Sequence, residues 1–301
     1  MVFKIVTLKN NWLTVEINAF GAEMQSVVDR KTGYEFMWQA DEEYWGRHAP
    51  ILFPIVGRLK KDQYEYNGRN YSMTQHGFAR DSMFAVENVT ANSVVFSLKN
   101  TEDTLQIYPF KFELYIQYLL HQNNITITYE VVNASTEEVM YYSVGGHPAF
   151  NVSEQVDTDE FAQVSFQLEP TKEYTSIPLS EKGLLKMDQT EVRVAREQIL
   201  SHETFKKDAL VYEIDAQTEM VLRDLTNQVE VRLKPSRMDY IGVWSPYPQK
   251  AGFVCLEPWA GVADTTDTSG NYAEKLGINE LEPNEKMTHD YTIQFTKKAQ
   301  L

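Results

Sequence analysis

Cysteine is nearly absent: the 301 residues contain one, Cys255. A single thiol can neither close an internal disulfide nor build a multi-cysteine metal site. Such usage fits a reducing compartment, so a cytoplasmic location is expected. Basic residues are also in short supply, with 28 Lys and Arg against 43 Asp and Glu and a net charge of −15. Affinity for a nucleic-acid backbone rests on cationic side chains that neutralise phosphates, and an anionic membrane surface repels an acidic chain, so neither partner is expected. Long apolar runs are missing as well. The opening MVFKIVTLKNNW has no apolar stretch leading to a small-residue cleavage site, and no run approaches the roughly 20 residues that span a bilayer. The fingerprints GxGxxG, Walker, HExxH and GxSxG are all absent, which sets aside several nucleotide, metal-hydrolase and serine-hydrolase classes. No Pro/Gly/Ser-rich linker or fixed-period repeat divides the chain, so residues 1–301 are read as one domain.

What is present is period-two alternation. In LTVEIN, residues 13–18, Leu13, Val15 and Ile17 point one way while Thr14, Glu16 and Asn18 point the other, as in a half-buried strand. Asn10-Asn11 reads as the turn from the preceding strand, and Asn67-Gly68 as the turn inside QYEYNGRNYSM. Residues 112–132 run strand, polar turn, strand, and EMVLRDLTNQVEVRLKP, YIGVW, GFVCLEP and HDYTIQF follow the same pattern. Helical periodicity is weak, with residues 189–200 and 271–276 as the helix candidates. So many strands exceed what one twisted open sheet holds, and the fold class predicted is all-β, a large two-sheet β-sandwich with a concave face able to carry a ligand.

A few side chains stand in frames that suggest chemistry. In VGGHPAFN the backbone around His147 is constrained by Gly145, Gly146 and Pro148, which gives a rigidly held imidazole; the plainer reading is a glycine-rich turn with an incidental histidine. His76 in QHGFAR has Gly77 beside it, which permits close approach of a ligand or of another strand. Glu257 follows the apolar GFVCL and is expected at a strand end, where burial would raise its pKa towards that of a useful general base; an exposed carboxylate is the alternative. Arg58, after an apolar run from Ile51, presents donors suited to hydroxyl or carboxylate oxygens, or else sits on the surface in a basic patch with Lys60 and Lys61. His48, His121, His202 and His289 lack such framing. Two histidines with Glu257 are metal-binding types, but no spacing requires a metal, and none is expected.

Together these segments resemble the aldose 1-epimerase (mutarotase) family, in its LacX-like branch. The matching pieces are FGAEMQSV at 20–27, WGRHAPILFPIVGRL at 45–59, HGFARD at 76–81, GGHPAFN at 145–151, FKKDALVY at 205–212, CLEPWAG at 255–261 and the closing LEPNEKMTHDYTIQF. The resemblance implies a sandwich of the galactose mutarotase type, acting without a cofactor on a small-molecule sugar. It implies Glu257 as the base on the anomeric hydroxyl and His147 as the acid on the ring oxygen, the two on opposite sides of the sugar, with His76, Arg58 and Asp208 holding sugar oxygens. Trp38, Phe150 and Trp244 are candidates for stacking on the sugar or for core packing. HGFAR and GRLKK also resemble the hexose-6-phosphate epimerase branch, in which arginines take the phosphate; here Arg80 would do so, with Arg47 or Lys60. A non-catalytic carbohydrate-binding protein on the same fold is the alternative function. Monomer and homodimer both remain open.

Overall fold

The computed structural model describes residues 4–155, 158 and 160–298. Two antiparallel sheets dominate it. The larger runs, edge to edge, through Gln198–Ile199, Val164–Glu169, Glu219–Asp224, Val229–Ser236, Lys286–Lys297, Asn124–Asn133, Phe112–His121, Ser93–Lys99 and Ala85–Val89. The second runs through Glu191–Val194, Glu173–Ile177, Leu210–Glu213, Tyr240–Trp244, Phe253–Ala260, Val144–Gly146 and Ile51–Leu52, with Ala149–Asn151 also paired to Phe253–Ala260. The anticipated hairpins are present, including Ile5–Lys9 with Leu13–Asn18 and Gln63–Tyr66 with Arg69–Ser72. No described helix is long and apolar enough to cross a membrane.

Alternation creates the core. Ile125, Ile127, Tyr129 and Val131 on one strand, and Leu114, Ile116, Tyr118 and Leu120 on its neighbour, bury one face of the larger sheet. They belong to the same apolar cluster as Ile241, Val243, Val254 and Leu256 of the second sheet, so the two sheets pack face to face as a sandwich. Phe253–Ala260 is buried on both faces along its whole length, because Trp38, Trp45 and Trp244 cover its other side around Phe253 and Cys255. This corrects one expectation: Glu257 stands inside that strand, not at its end.

Both helix candidates are also corrected. Residues 189–200 give two short edge strands, Glu191–Val194 and Gln198–Ile199, in different sheets. The Val192/Val194 alternation pairs with Glu173–Ile177 and overrides a weak helical period. Residues 271–276 hold a single 3₁₀ turn, Tyr272–Glu274, whose start is capped by the Asn271 side chain accepting from the Ala273 N–H. The described α-helix, Glu102–Ile107, lies elsewhere and begins at Thr101, whose hydroxyl accepts from the Thr104 N–H.

Gly146 shows how tightly the sheets meet. Its missing side chain faces the hydrogen-bonded hydroxyls of Tyr129 and Tyr291, and a Cβ there would lie 2.5 Å from the Tyr291 oxygen and 3.0 Å from that of Tyr129. Gly146→Ala is expected to destabilise the fold by about 1–3 kcal/mol through overpacking, read by urea unfolding. Unchanged stability would show that the tyrosine pair yields without loss.

Candidate active site

Phe253–Ala260 pairs with the chain on both sides of His147. Val144 opposes Ala260 and Gly145 opposes Trp259; beyond the histidine, Ala149 opposes Cys255 and Phe150 opposes Val254. One register runs through both stretches, and it sets His147 directly opposite Glu257 as a cross-strand pair. The imidazole Nε2 lies 3.1 Å from a carboxylate oxygen of Glu257. Both groups are buried, 8% and 2% exposed, at the floor of a cleft of about 870 Å³. Trp45 stacks on the His147 ring at 4.9 Å between centroids, and Trp244 meets it edge-on at 5.7 Å. Strand alternation explains the fate of Phe150, three residues on: it points to the opposite face, into the core beside Phe295, and cannot meet a ligand in the cleft.

His76 reaches the same place by a strained route. His76 and Gly77 both take left-handed backbone conformations, with φ of +69° and +70°. A Cβ on Gly77 would lie 2.2 Å from the Phe53 carbonyl oxygen, so only glycine fits there. A non-glycine residue held at positive φ costs on the order of 1–3 kcal/mol, and such strain gathers at functional sites. The Gly57 N–H donates to His76 Nδ1 at 3.1 Å, which leaves the ring proton on Nε2. The His76 ring stands perpendicular to that of His147 at 5.6 Å.

Burial governs the electrostatics. Desolvation raises the Glu257 pKa well above the usual carboxylate range, the charge of Asp208 adds to this, and the Trp259 indole opposes it. Desolvation also lowers the His147 pKa to about 3, with Arg80 and Arg47 adding to the fall, and holds His76 well below its ordinary value. His147 therefore lies far from the near-neutral pKa that suits a general acid working alone. Burial thus disfavours the charged form of each group, and holds the contact towards a neutral carboxyl beside a neutral imidazole.

The remaining predicted residues divide. Asp208 is exposed on the cleft wall, with φ of +75°. Arg80 lines the cleft, donates to the Gln75 carbonyl at 2.7 Å and lies 3.7 Å from Asp81, which also holds Arg47 at 2.9 Å. Arg58 does not line the cleft; it lies behind Gln75 and donates to that side chain at 3.1 Å. Trp244 lines the cleft and Trp38 does not. None of His48, His121, His202 and His289 lines it. Sequence reasoning passed over Trp45, Gln75 and Trp259 as individual residues, although all three line the cleft. Trp45, Gln75 and Trp259 stand in the motifs WGRHAP, QHGFAR and CLEPWAG, and strand parity would have put Trp259 on the face of Glu257.

Metal donors converge in one trio among the described residues, with the ligand atoms of His147, Cys255 and Glu257 within 4.8 Å of one another. Burial pushes the Cys255 thiol pKa well up and Glu257 adds to the shift, so its thiolate form is disfavoured. The arrangement suits proton transfer between two adjacent groups better than metal ligation.

The family model described as aldose 1-epimerase matches residues 4–294. The chain is 33% identical over 299 residues to protein LacX, chromosomal, of Lactococcus lactis subsp. lactis, covering 96% of this chain and 99% of that protein. It is similar in structure to a galactose mutarotase related enzyme from Lactobacillus acidophilus, with TM-score 0.93, 40% identity and 98% of each chain covered. A galactose mutarotase-like protein from Lactobacillus casei ATCC 334 gives TM-score 0.91 at 27% identity, covering 97% of this chain and 100% of that one.

The proton count predicts a pH dependence of stability. From about pH 4.5 to 6.5, the ordinary values of the two groups, the unfolded chain carries the pair's one proton on His147 and the folded chain carries it on Glu257, so the pair contributes no slope. Above 6.5 the folded state keeps a proton that the unfolded state releases, and stability falls as pH rises, by up to about 1.4 kcal/mol per pH unit. Below 6.5 His76 is protonated only in the unfolded chain, so stability falls as pH drops. In urea unfolding across this range, Glu257→Gln should abolish the alkaline decline. An unchanged alkaline slope would show that Glu257 carries no proton in the folded protein.

Proposed function

The chain belongs to the aldose 1-epimerase family, and on that premise we propose that it is a mutarotase, an isomerase that interconverts the α and β anomers of a free aldose or an aldose 6-phosphate without a cofactor. The observation that carries this reading is the direct 3.1 Å contact between His147 and Glu257 at the floor of the cleft. Opening a hemiacetal requires a proton to leave the anomeric oxygen as another reaches the ring oxygen. Both oxygens hang from the same carbon, so the acid and base need not flank the sugar; neighbours on one side suffice. That replaces the expectation of groups on opposite sides.

The proton already shared by the pair serves the reaction. Shifting it from Glu257 to His147 Nε2 creates a carboxylate and an imidazolium with no proton drawn from solvent. Glu257 then takes the anomeric hydroxyl proton while His147 protonates the ring oxygen, and the bond from the anomeric carbon to that oxygen breaks. Rotation about C1–C2 turns the aldehyde, and the reverse transfers close the ring on its other face. General acid and general base each contribute roughly 10²- to 10⁴-fold. His76, neutral with its proton on Nε2, donates to a sugar oxygen, and Asp208 accepts from sugar hydroxyls. Arg80, which lines the cleft, takes the phosphate of a 6-phosphate sugar, while Arg58 acts by holding Gln75. The lone, unpaired Cys255 supports a cytoplasmic setting.

The test is anomer exchange of fresh α-glucose, α-galactose and their 6-phosphates, followed by NMR with sugar binding measured in parallel. Glu257→Gln and His147→Asn should each slow exchange at least about 10²-fold while binding persists. Binding without acceleration of any sugar would instead identify a carbohydrate-binding protein. Arg80→Ala should weaken the phosphorylated sugars selectively, and equal losses for both kinds would remove the phosphate role.

A further inference from the structure

Trp259 stands on the same face of its strand as Glu257, and two glycines on the flanking strands are shaped around it. Gly145 opposes Trp259 on one side, where a Cβ would lie 2.8 Å from the indole Cδ1. Gly242, on the other side, opposes Glu257, and a Cβ there would lie 2.4 Å from Cη2 and 2.5 Å from Cζ2 of the same indole. The ring therefore lies across the sheet from one glycine towards the other, alongside the carboxylate. Neither glycine has a positive φ, so neither is required by its own backbone conformation. Their common feature is the space that the indole fills.

The polar end of that indole is unspent. Trp259 is 5% exposed and lines the cleft, and its Nε1–H has no hydrogen-bond partner. A buried donor left unpaired costs about 1–3 kcal/mol, so its presence at this position calls for a role. We propose that Trp259 is a positioning residue for the base: its Nε1–H closes onto the Glu257 carboxylate when that group gives up its proton, and so holds it in the form that attacks the anomeric hydroxyl. A neutral carboxyl is a poor acceptor and a carboxylate a strong one, so the bond strengthens only in the reactive state. The indole N–H is near enough to Glu257 to lower its pKa through a side-chain hydrogen bond, although at rest it falls short of full hydrogen-bond geometry. The proposal rests on Glu257 acting as the base.

Trp259→Phe keeps the ring and removes the donor. It should lower kcat roughly ten- to a hundredfold, leave KM within about threefold, and move the Glu257 limb of the kcat profile to higher pH, the gap corresponding to one charge-assisted hydrogen bond. An unmoved pH profile, or one moved to lower pH as water admitted by looser packing would move it, would overturn the proposal, whatever the fall in kcat. A second readout needs no turnover. The chain has five tryptophans, and with ¹⁵N-indole labelling the resonance that vanishes in Trp259→Phe identifies this one. It should shift with pH in the wild type and stay flat in Glu257→Gln. A flat wild-type resonance through the Glu257 titration would overturn the proposal even if mutarotation is observed, and a shifting one in a protein that turns over no sugar would sustain the contact while removing the proposed activity.

Discussion

A single antiparallel register joins residues 144–151 to 253–260, and most of what this protein can do follows from it. Through it an imidazole faces a carboxylate that stands on a strand buried along its whole length. Either ionised group alone would be expensive there, and desolvation drives both towards neutrality. Because their shifts run in opposite directions, the pair keeps one proton over a wide pH range. The same low-dielectric setting makes the ion-pair form accessible only when something polar, such as a sugar's oxygens, restores solvation at that spot.

Around this pair the sheet supplies rigidity and the loops supply contacts. His147, Glu257 and Trp259 stand on strands or between paired strands, where rotamers and backbone are held by neighbours. Asp208, Arg80 and Gln75 come from connecting segments along the cleft wall. On the proposed function, a scaffold divided in this way can change its preferred sugar by altering loops while the proton chemistry stays in place. His76 bridges the two regimes: it lies outside the named strands, yet a left-handed backbone and the Gly57 N–H hold its ring in one tautomer.

Glycine has a different reason at each place in this site. Gly77 relieves backbone crowding against Phe53, Gly146 makes room for the tyrosine hydroxyls of the facing sheet, and Gly145 and Gly242 leave the floor on which Trp259 lies. The motif GGH is thus two faces of one strand seen in succession, one glycine serving the core and the next the cleft.

The sequence alone determined the β architecture, because alternation along LTVEIN or NITITYEVV and turn residues such as Asn67-Gly68 act over a few neighbours and need no knowledge of the rest. It also pointed to His147, His76 and Glu257, since glycine and proline frames and a carboxylate in an apolar run are visible locally. The edge strands at 191–194 and 198–199 were misread as helix because pairing partners decided them. Tertiary structure alone placed Glu257 inside its strand, turned Phe150 into the core, set Arg58 behind Gln75 and seated Trp259 between two glycines. Where the proton rests was also beyond the reach of the linear chain. A pKa is fixed by which groups lose water and which charges come near, and only folding brings residues 147 and 257 into the same dry corner.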